Sequence, residues 1–150
     1  MEEATDPVMA LMGLQQRAAA LGTVHAEQIA RRLGITATDL KCLFLLLQRP
    51  HTPRELAAAL HLTPSAITSV IDRMVGAGFA RREPSQTDRR RYLVTAVPDR
   101  AQQAIKLYTP LFTSMRQVLA HYDDDQLATL RDFAQRTVDA FEELTTRPQD

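Results

Sequence analysis

Two clusters of side chains in this chain have the chemistry to grip and read an anionic polymer. Thr63, Ser65, Thr68, Ser69 and Arg73 lie within eleven residues, at spacings that place short hydroxyls and one guanidinium on the outer side of a single helix. Such hydroxyls hydrogen-bond base edges or phosphates, and backbone N–H groups from Thr63 to Ala66 add an anion site at the positive end of the helix dipole. Asp88, Arg89, Arg90 and Arg91 form the second cluster, one carboxylate followed by three guanidinium groups. Arginine on a thin projection suits the narrow minor groove of duplex DNA, where the negative potential is enhanced. Asp88 reads as the organiser that hydrogen-bonds an arginine and fixes the tip.

The surrounding sequence supplies the elements that would hold both clusters. Thr52-Pro53-Arg54-Glu55 is a strong helix start, with threonine as cap, proline at the first helical position and an acid in the first turn. Leu60 to Thr63 make a turn, and Thr63-Pro64-Ser65 repeats the start chemistry for a longer helix that stops at Gly78. Leu56, Leu60, Leu62, Ile67, Val70, Ile71 and Met74 face inward and lock the two helices together. That leaves Ser65, Ala66, Thr68, Ser69, Asp72 and Arg73 outward, toward a major groove. Two short extended runs follow, Phe79 to Glu83 and Arg91 to Ala96, joined by the turn-rich Pro84-Ser85-Gln86-Thr87-Asp88. The pattern is a helix-turn-helix with a hairpin wing, over about 39–97.

Long amphipathic helices bracket this module. Leu11, Leu14, Ala18, Leu21, His25, Ile29 and Leu33 share one stripe between Val8 and Gly34. Thr38 or Asp39 can cap a second helix running through Gln48, which Pro50 ends. Beyond Pro98 a face carries Ile105, Tyr108, Leu111 or Phe112, Met115, Leu119 and Tyr122, with a kink or break expected at Pro110. Asp123-Asp124-Asp125-Gln126 opens a last helix with Leu127, Leu130, Ala134, Val138, Phe141 and Leu144 on one side. The ends hold more apolar stripe than one small domain needs, and pairing with a second copy through about 8–34 and 98–145 would bury the surplus. The expected fold class is mainly α with a small β-wing: a single domain over 1–150, a winged helix-turn-helix flanked by N- and C-terminal dimerisation helices.

Net charge is zero over the 150 residues, which alone argues against nucleic acid, but the charge is unevenly spread. Between Thr52 and Val97 seven arginines oppose four acids, whereas from Pro98 onward six cations oppose nine acids. A basic middle on a neutral and acidic scaffold fits a DNA-facing module. No apolar run approaches the ~20 residues a bilayer crossing needs, and the opening Met1-Glu2-Glu3 is acidic where a signal peptide is basic. A cytoplasmic protein without a membrane partner is expected. The five glycines are scattered as caps and turns, not gathered in a phosphate loop. No Ser/His/Asp or paired-carboxylate arrangement stands out, so no enzyme is expected. His25, His51, His61 and His121 have no metal-ligand spacing with one another or with Cys42, and no metal or cofactor is expected. Cys42 lies in an apolar run, where cysteine is commonly a small buried hydrophobe; a sensing thiol needs exposure and a lowered pKa.

Through T-P-x-E-L-A-x-x-L from Thr52, S-x-I-T-x-x-I-D-R-M-V-x-x-G-F-x-x-R from Ser65 and D-x-R at Asp88 and Arg90, the chain resembles the MarR family of bacterial winged-helix regulators, nearly end to end. The resemblance implies a homodimer with intertwined first and last helices that binds a pseudo-palindromic double-stranded DNA operator, mostly as a repressor. It also implies, for many members, release by a small lipophilic, often aromatic, effector held between the dimer helices and the winged module. On that reading Arg90 enters the minor groove, Arg89 and Arg91 neutralise phosphates, and Ser65, Thr68, Ser69 and Arg73 work in the major groove. Leu14, Ala18, His25, Leu43, Leu47 and Tyr108 are candidates to line an effector chamber, although a plain helical core uses the same residue types. His25 is then either a satisfied core histidine or a donor to an acidic effector. Three departures stand out. Ser69 occupies a position where many members carry arginine, so the guanine contact is missing or falls to Arg73. His61 fills a turn position where glycine is common, which implies a somewhat different turn. Thr95-Ala96-Val97-Pro98-Asp99-Arg100 replaces the usual leucine-threonine-x-x-glycine-arginine. Two other readings remain: a winged helix whose basic face meets a protein partner without a specific DNA site, and a ligand-independent regulator or activator.

Overall fold

The computed structural model describes residues 6–84 and 92–146. In chain order the elements are α1 (Pro7–Leu33), α2 (Ala37–Gln48), α3 (Pro53–Ala59), α4 (Pro64–Gly76), β1 (Ala80–Pro84), β2 (Tyr92–Ala96), α5 (Pro98–Leu119) and α6 (Asp124–Thr146). This is the mainly helical chain with a small antiparallel wing that the sequence implies. The chain divides after Tyr108 into two units.

Helices α1 to α4 each start where a side chain can take up the free N–H groups of the first turn. Asp6 caps α1 through the Val8 N–H at 3.0 Å. For α2 the cap is Thr36, not the expected Thr38 or Asp39. Thr36 Oγ1 accepts from the Asp39 N–H at 3.1 Å and Asp39 Oδ2 accepts from the Thr36 N–H at 3.0 Å, a reciprocal capping box with aspartate in the third position. Thr52 and Glu55 make the same box on α3.

Three of these helices end alike. After α1, α3 and α4 the chain turns through a left-handed residue, Gly34 (φ 71°), His61 (φ 51°) and Gly78 (φ 75°). The residue after each closes a wide bond to the helix: Ile35 N–H to Ala30, Leu62 N–H to Ala57 and Phe79 N–H to Met74, at 2.9–3.0 Å. This is the Schellman pattern. The different turn expected at His61 is therefore not found; histidine occupies the slot glycine fills elsewhere in the chain.

The core of the first unit gathers Leu40 and Leu43 of α2, Leu56 of α3, Ile67, Ile71 and Met74 of α4, Phe79 just before β1, and Val94 of β2, all fully buried. Each such side chain contributes about 1.5–3 kcal/mol when removed from water. Ile29 and Ala30 of α1 and Ala101 and Ala104 of α5 close its edges. β1 and β2 pair antiparallel from Ala80 opposite Ala96 to Pro84 opposite Tyr92. His51, in the link between α2 and α3, adds a two-bond bridge to Val94 at 3.1 and 2.8 Å, so the helices are tied to the wing through the backbone.

In the second unit α6 begins with a reciprocal bond pair between Asp123 and Gln126, at 2.8 and 3.0 Å. Of the kink or break expected at Pro110, the break is not observed: α5 runs through it. A proline inside a helix removes its own N–H from the ladder and crowds the carbonyl four residues back, yet here the helix continues on both sides. Phe112, Met115 and Val118 of α5 and Phe141 and Leu144 of α6 stay exposed. Among the described residues no helix is long and apolar enough to cross a membrane.

Candidate nucleic-acid interface

The apolar side of α4 is consumed by the core, and this fixes what its other side presents. Ile67, Val70, Ile71 and Met74 are buried, while Thr63, Ser65, Thr68, Ser69, Asp72 and Arg73 are exposed. The hydroxyls are not idle. Thr63 Oγ1 accepts from the Ala66 N–H at 3.2 Å and lies 3.2 Å from Ser65 Oγ. Thr68 donates to the Pro64 carbonyl at 2.9 Å and Ser69 to the Ser65 carbonyl at 3.2 Å. A hydroxyl whose proton points back along its helix offers lone pairs outward, which suits donors such as the adenine and cytosine amino groups. At the helix start the Ala66 N–H is already taken and Pro64 has none, so the anion site narrows to the N–H groups of Thr63 and Ser65.

Arg73 does not project freely. Its Nη2 donates to Asp39 Oδ1 at 2.7 Å and its Nε to Asp39 Oδ2 at 3.2 Å. The Asp39 side chain is 1% exposed and that of Arg73 48%. Burial alone would raise the Asp39 carboxyl, but the bonds from Arg73 and Thr36 outweigh it and hold the group below its usual range. Asp72, the other charged group on this side, pairs with Arg82 of β1, whose guanidinium lies 5.4 Å from the Tyr92 ring centre. Arg81 meets Glu83 at 2.6 Å and Thr95 at 3.3 Å. The base of the wing is thus cross-linked to α4 and to itself. Its outer cluster, Asp88, Arg89, Arg90 and Arg91, lies outside the described residues.

Two residues that matter here escaped the sequence pattern. Asp39 reads as a helix cap, and no local spacing announces a partner 34 positions away. Arg100 of α5 donates through Nη2 to the Ala77 carbonyl at 3.0 Å and lies 4.7 Å from the ring centre of the buried Phe79. It therefore caps the C-terminal end of α4, where a cation opposes the negative pole of the dipole.

The residues proposed for an effector chamber separate into several environments. His25 of α1 packs edge-on against Tyr108 of α5, ring centres 5.6 Å apart, and Phe44 of α2 packs on the same Tyr108 at 4.8 Å. Phe44 was not anticipated. Burial pushes the Tyr108 phenol up. His25 Nε2 is buried without a hydrogen-bond partner among the described residues. Leu43 is in the core, Leu14 and Ala18 are exposed, and Leu47 lines an open depression of about 470 Å³ with Arg49, Thr95 and Ala101. Cys42 is fully buried, and burial, with the Asp39 charge adding to it, pushes its thiol up to about 11. That is the reverse of what a sensing thiol needs. Among the described residues no group of three or more His, Cys, Asp or Glu is placed to hold a metal ion.

Comparison with known proteins adds three findings. The sequence pattern of the MarR family matches residues 35–92. The uncharacterized HTH-type transcriptional regulator YcgE of Bacillus subtilis (strain 168) is 30% identical over 122 residues, 81% of this chain and 79% of that protein. Among solved structures, AbsC, a MarR family transcriptional regulator from Streptomyces coelicolor, superposes with a TM-score of 0.68 at 20% identity, covering 95% of this chain and 99% of that one. A mutant of MarR from E. coli complexed with operator DNA gives a TM-score of 0.60 at 23% identity, covering 91% and 99%.

Proposed function

The chain belongs to the MarR family of transcriptional regulators, a regulator and not an enzyme, and from that premise we propose that it is a cytoplasmic homodimer that binds a pseudo-palindromic operator and represses transcription. The observation that carries the DNA role is the outer side of α4: exposed hydroxyls on a helix held by Asp39, Arg82 and Arg100 from three other elements. Thr63, Ser65, Thr68 and Ser69 face the major groove, with Arg73 beside them. Arg90 of the wing enters the minor groove, Asp88 orients it, and Arg89 and Arg91 neutralise phosphates. The exposed apolar faces of α1 and α6 are covered by a second copy.

Selection of bound fragments from random duplex DNA across a salt series tests this. Recovery of a palindrome with half-sites about one helical turn apart, bound with an affinity that falls steeply with salt, is the expected result. Weak binding with no recovered sequence would transfer the basic face to a protein partner. With the operator in hand, Arg90→Ala weakens binding and leaves the dimer intact. A second reading concerns an effector, and it is favoured by His25, whose ring packs on Tyr108 and whose buried Nε2 has no hydrogen-bond partner among the described residues. A small aromatic or lipophilic acid would supply the missing acceptor. His25→Phe then abolishes release of DNA by such acids without changing operator affinity.

A further inference from the structure

Resting on the DNA-reading role just given to α4, we propose that Asp39 is a positioning residue for operator recognition, and that Arg73 acts on DNA through Asp39 and not by touching it. The carboxylate of Asp39 takes three bonds at once: the Thr36 N–H that starts α2, and the Nε and Nη2 of Arg73. One fully buried group therefore joins the first turn of α2 to the third turn of α4. Arg73 lies four residues beyond Ser69 and eight beyond Ser65, in the same row along the helix surface. Fixing Arg73 fixes the rotation of that row about the helix axis.

Magnitudes favour such a device. A helix with its side chains is about 10–12 Å across, so a rotation of about 10° carries a surface oxygen about 1 Å. That is enough to lose a hydrogen bond whose useful range is about 0.5 Å. The apolar face of Ile67, Val70, Ile71 and Met74 is non-directional and tolerates such a rotation. A two-point arginine–carboxylate pair, with one partner buried, does not.

The test is a double-mutant cycle on the full chain, with the duplex recovered from the random pool as probe. Asp39→Asn keeps an oxygen for the Thr36 N–H and removes the charge; Arg73→Ala removes the other partner. Each single variant is expected to weaken binding by about ten-fold, the double variant no further than either, with the salt slope unchanged in all three. Arg73→Lys keeps the charge, folds with the least disturbance, and is expected to fall with Arg73→Ala because a point charge cannot make the two-point grip. The proposal is overturned if Arg73→Ala flattens the salt slope by about one while Asp39→Asn leaves affinity unchanged, or if Arg73→Lys binds like the parent. Additive losses with a selective parent chain sink this proposal alone. A parent chain that selects no duplex sinks the DNA reading, and this proposal with it.

Discussion

Helices α4 and α1 are both amphipathic, both belong to the first unit, and end in opposite states. The apolar face of α4 is closed by the chain itself: Ile71 and Met74 are fully buried against α2, α3 and the wing. On α1 Ile29 and Ala30 are buried in the core and Ala26 and Leu33 pack against it, while Leu11, Leu14, Leu21 and Val24 remain 47–64% exposed. An apolar stripe is thus only half a statement about structure. The other half is whether the same chain owns the covering surface. For α4 it does, because Leu40, Leu43, Leu56, Phe79 and Val94 close over it. Among the described residues the apolar side chains in the first five turns of α1 are exposed, and a second copy of the chain is the proposed cover.

The largest effect should come from the closed face. Ile71→Ala is expected to lose about 2–5 kcal/mol of unfolding free energy, equally at all protein concentrations. Urea unfolding at two concentrations a hundred-fold apart reads both quantities; a loss below about 1 kcal/mol would mean the site collapses freely and the face is not closed. On the open face, Leu14→Asp combined with Leu21→Asp should raise the dimer dissociation constant by about a hundred-fold. Sedimentation reads that change, and the stability of the dilute chain should stay within about 0.5 kcal/mol of the parent. Equal destabilisation at every concentration would instead place the α1 stripe inside the chain's own packing and erase the contrast.

A smaller effect distinguishes the two regions by pH. Glu55 in α3 accepts from the Thr52 N–H at 2.7 Å and the Thr52 hydroxyl at 2.9 Å. These bonds, the backbone one first, hold its carboxyl down at about 2. A group whose pKa is depressed on folding contributes stability that is complete above its unfolded value, near 4.5, and is lost as pH falls toward 2. Thr52→Ala should lower stability at neutral pH by about 1 kcal/mol and shrink the acid-dependent loss in that window. The same scan on the Leu14→Asp, Leu21→Asp chain should keep the parent's acid loss at Glu55, since α1 has no part in it.

The helix-turn-helix was legible in the sequence because its signals are local: Thr52-Pro53 and Thr63-Pro64 announce starts, Gly78 a stop, and the 3.6-residue period an inner face. The α2 cap was misplaced by two to three residues because Thr36, Thr38 and Asp39 can all cap, and only the reciprocal bonds decide between them. The grips on α4 were illegible for a different reason. Asp39–Arg73 and Arg100–Ala77 join residues far apart in sequence, and a charge or a cap looks the same locally whichever partner it finds. The effector candidates failed to gather into one environment because leucine and alanine at helical spacing fit a core, a dimer seam or a chamber alike.

The smallest effect concerns His61, and it sharpens the contrast because it too should be independent of concentration. Its turn has the same hydrogen bonds as those at Gly34 and Gly78, and an L-residue in that left-handed slot is strained by about 1–2 kcal/mol. His61→Gly relieves the strain but loosens the unfolded chain, which offsets about 0.5–1 kcal/mol of the gain. The net should be a stabilisation of about 0–1.5 kcal/mol, visible as a small rise in Tm, and His61→Val should fall below the parent, since a β-branched side chain fits the slot worst. Should His61→Gly lower Tm instead, the exposed imidazole makes a contact worth more than its strain. Because His61 stands two residues before the Thr63 cap of α4, operator affinity measured on that same variant would show whether the contact serves the fold or the DNA.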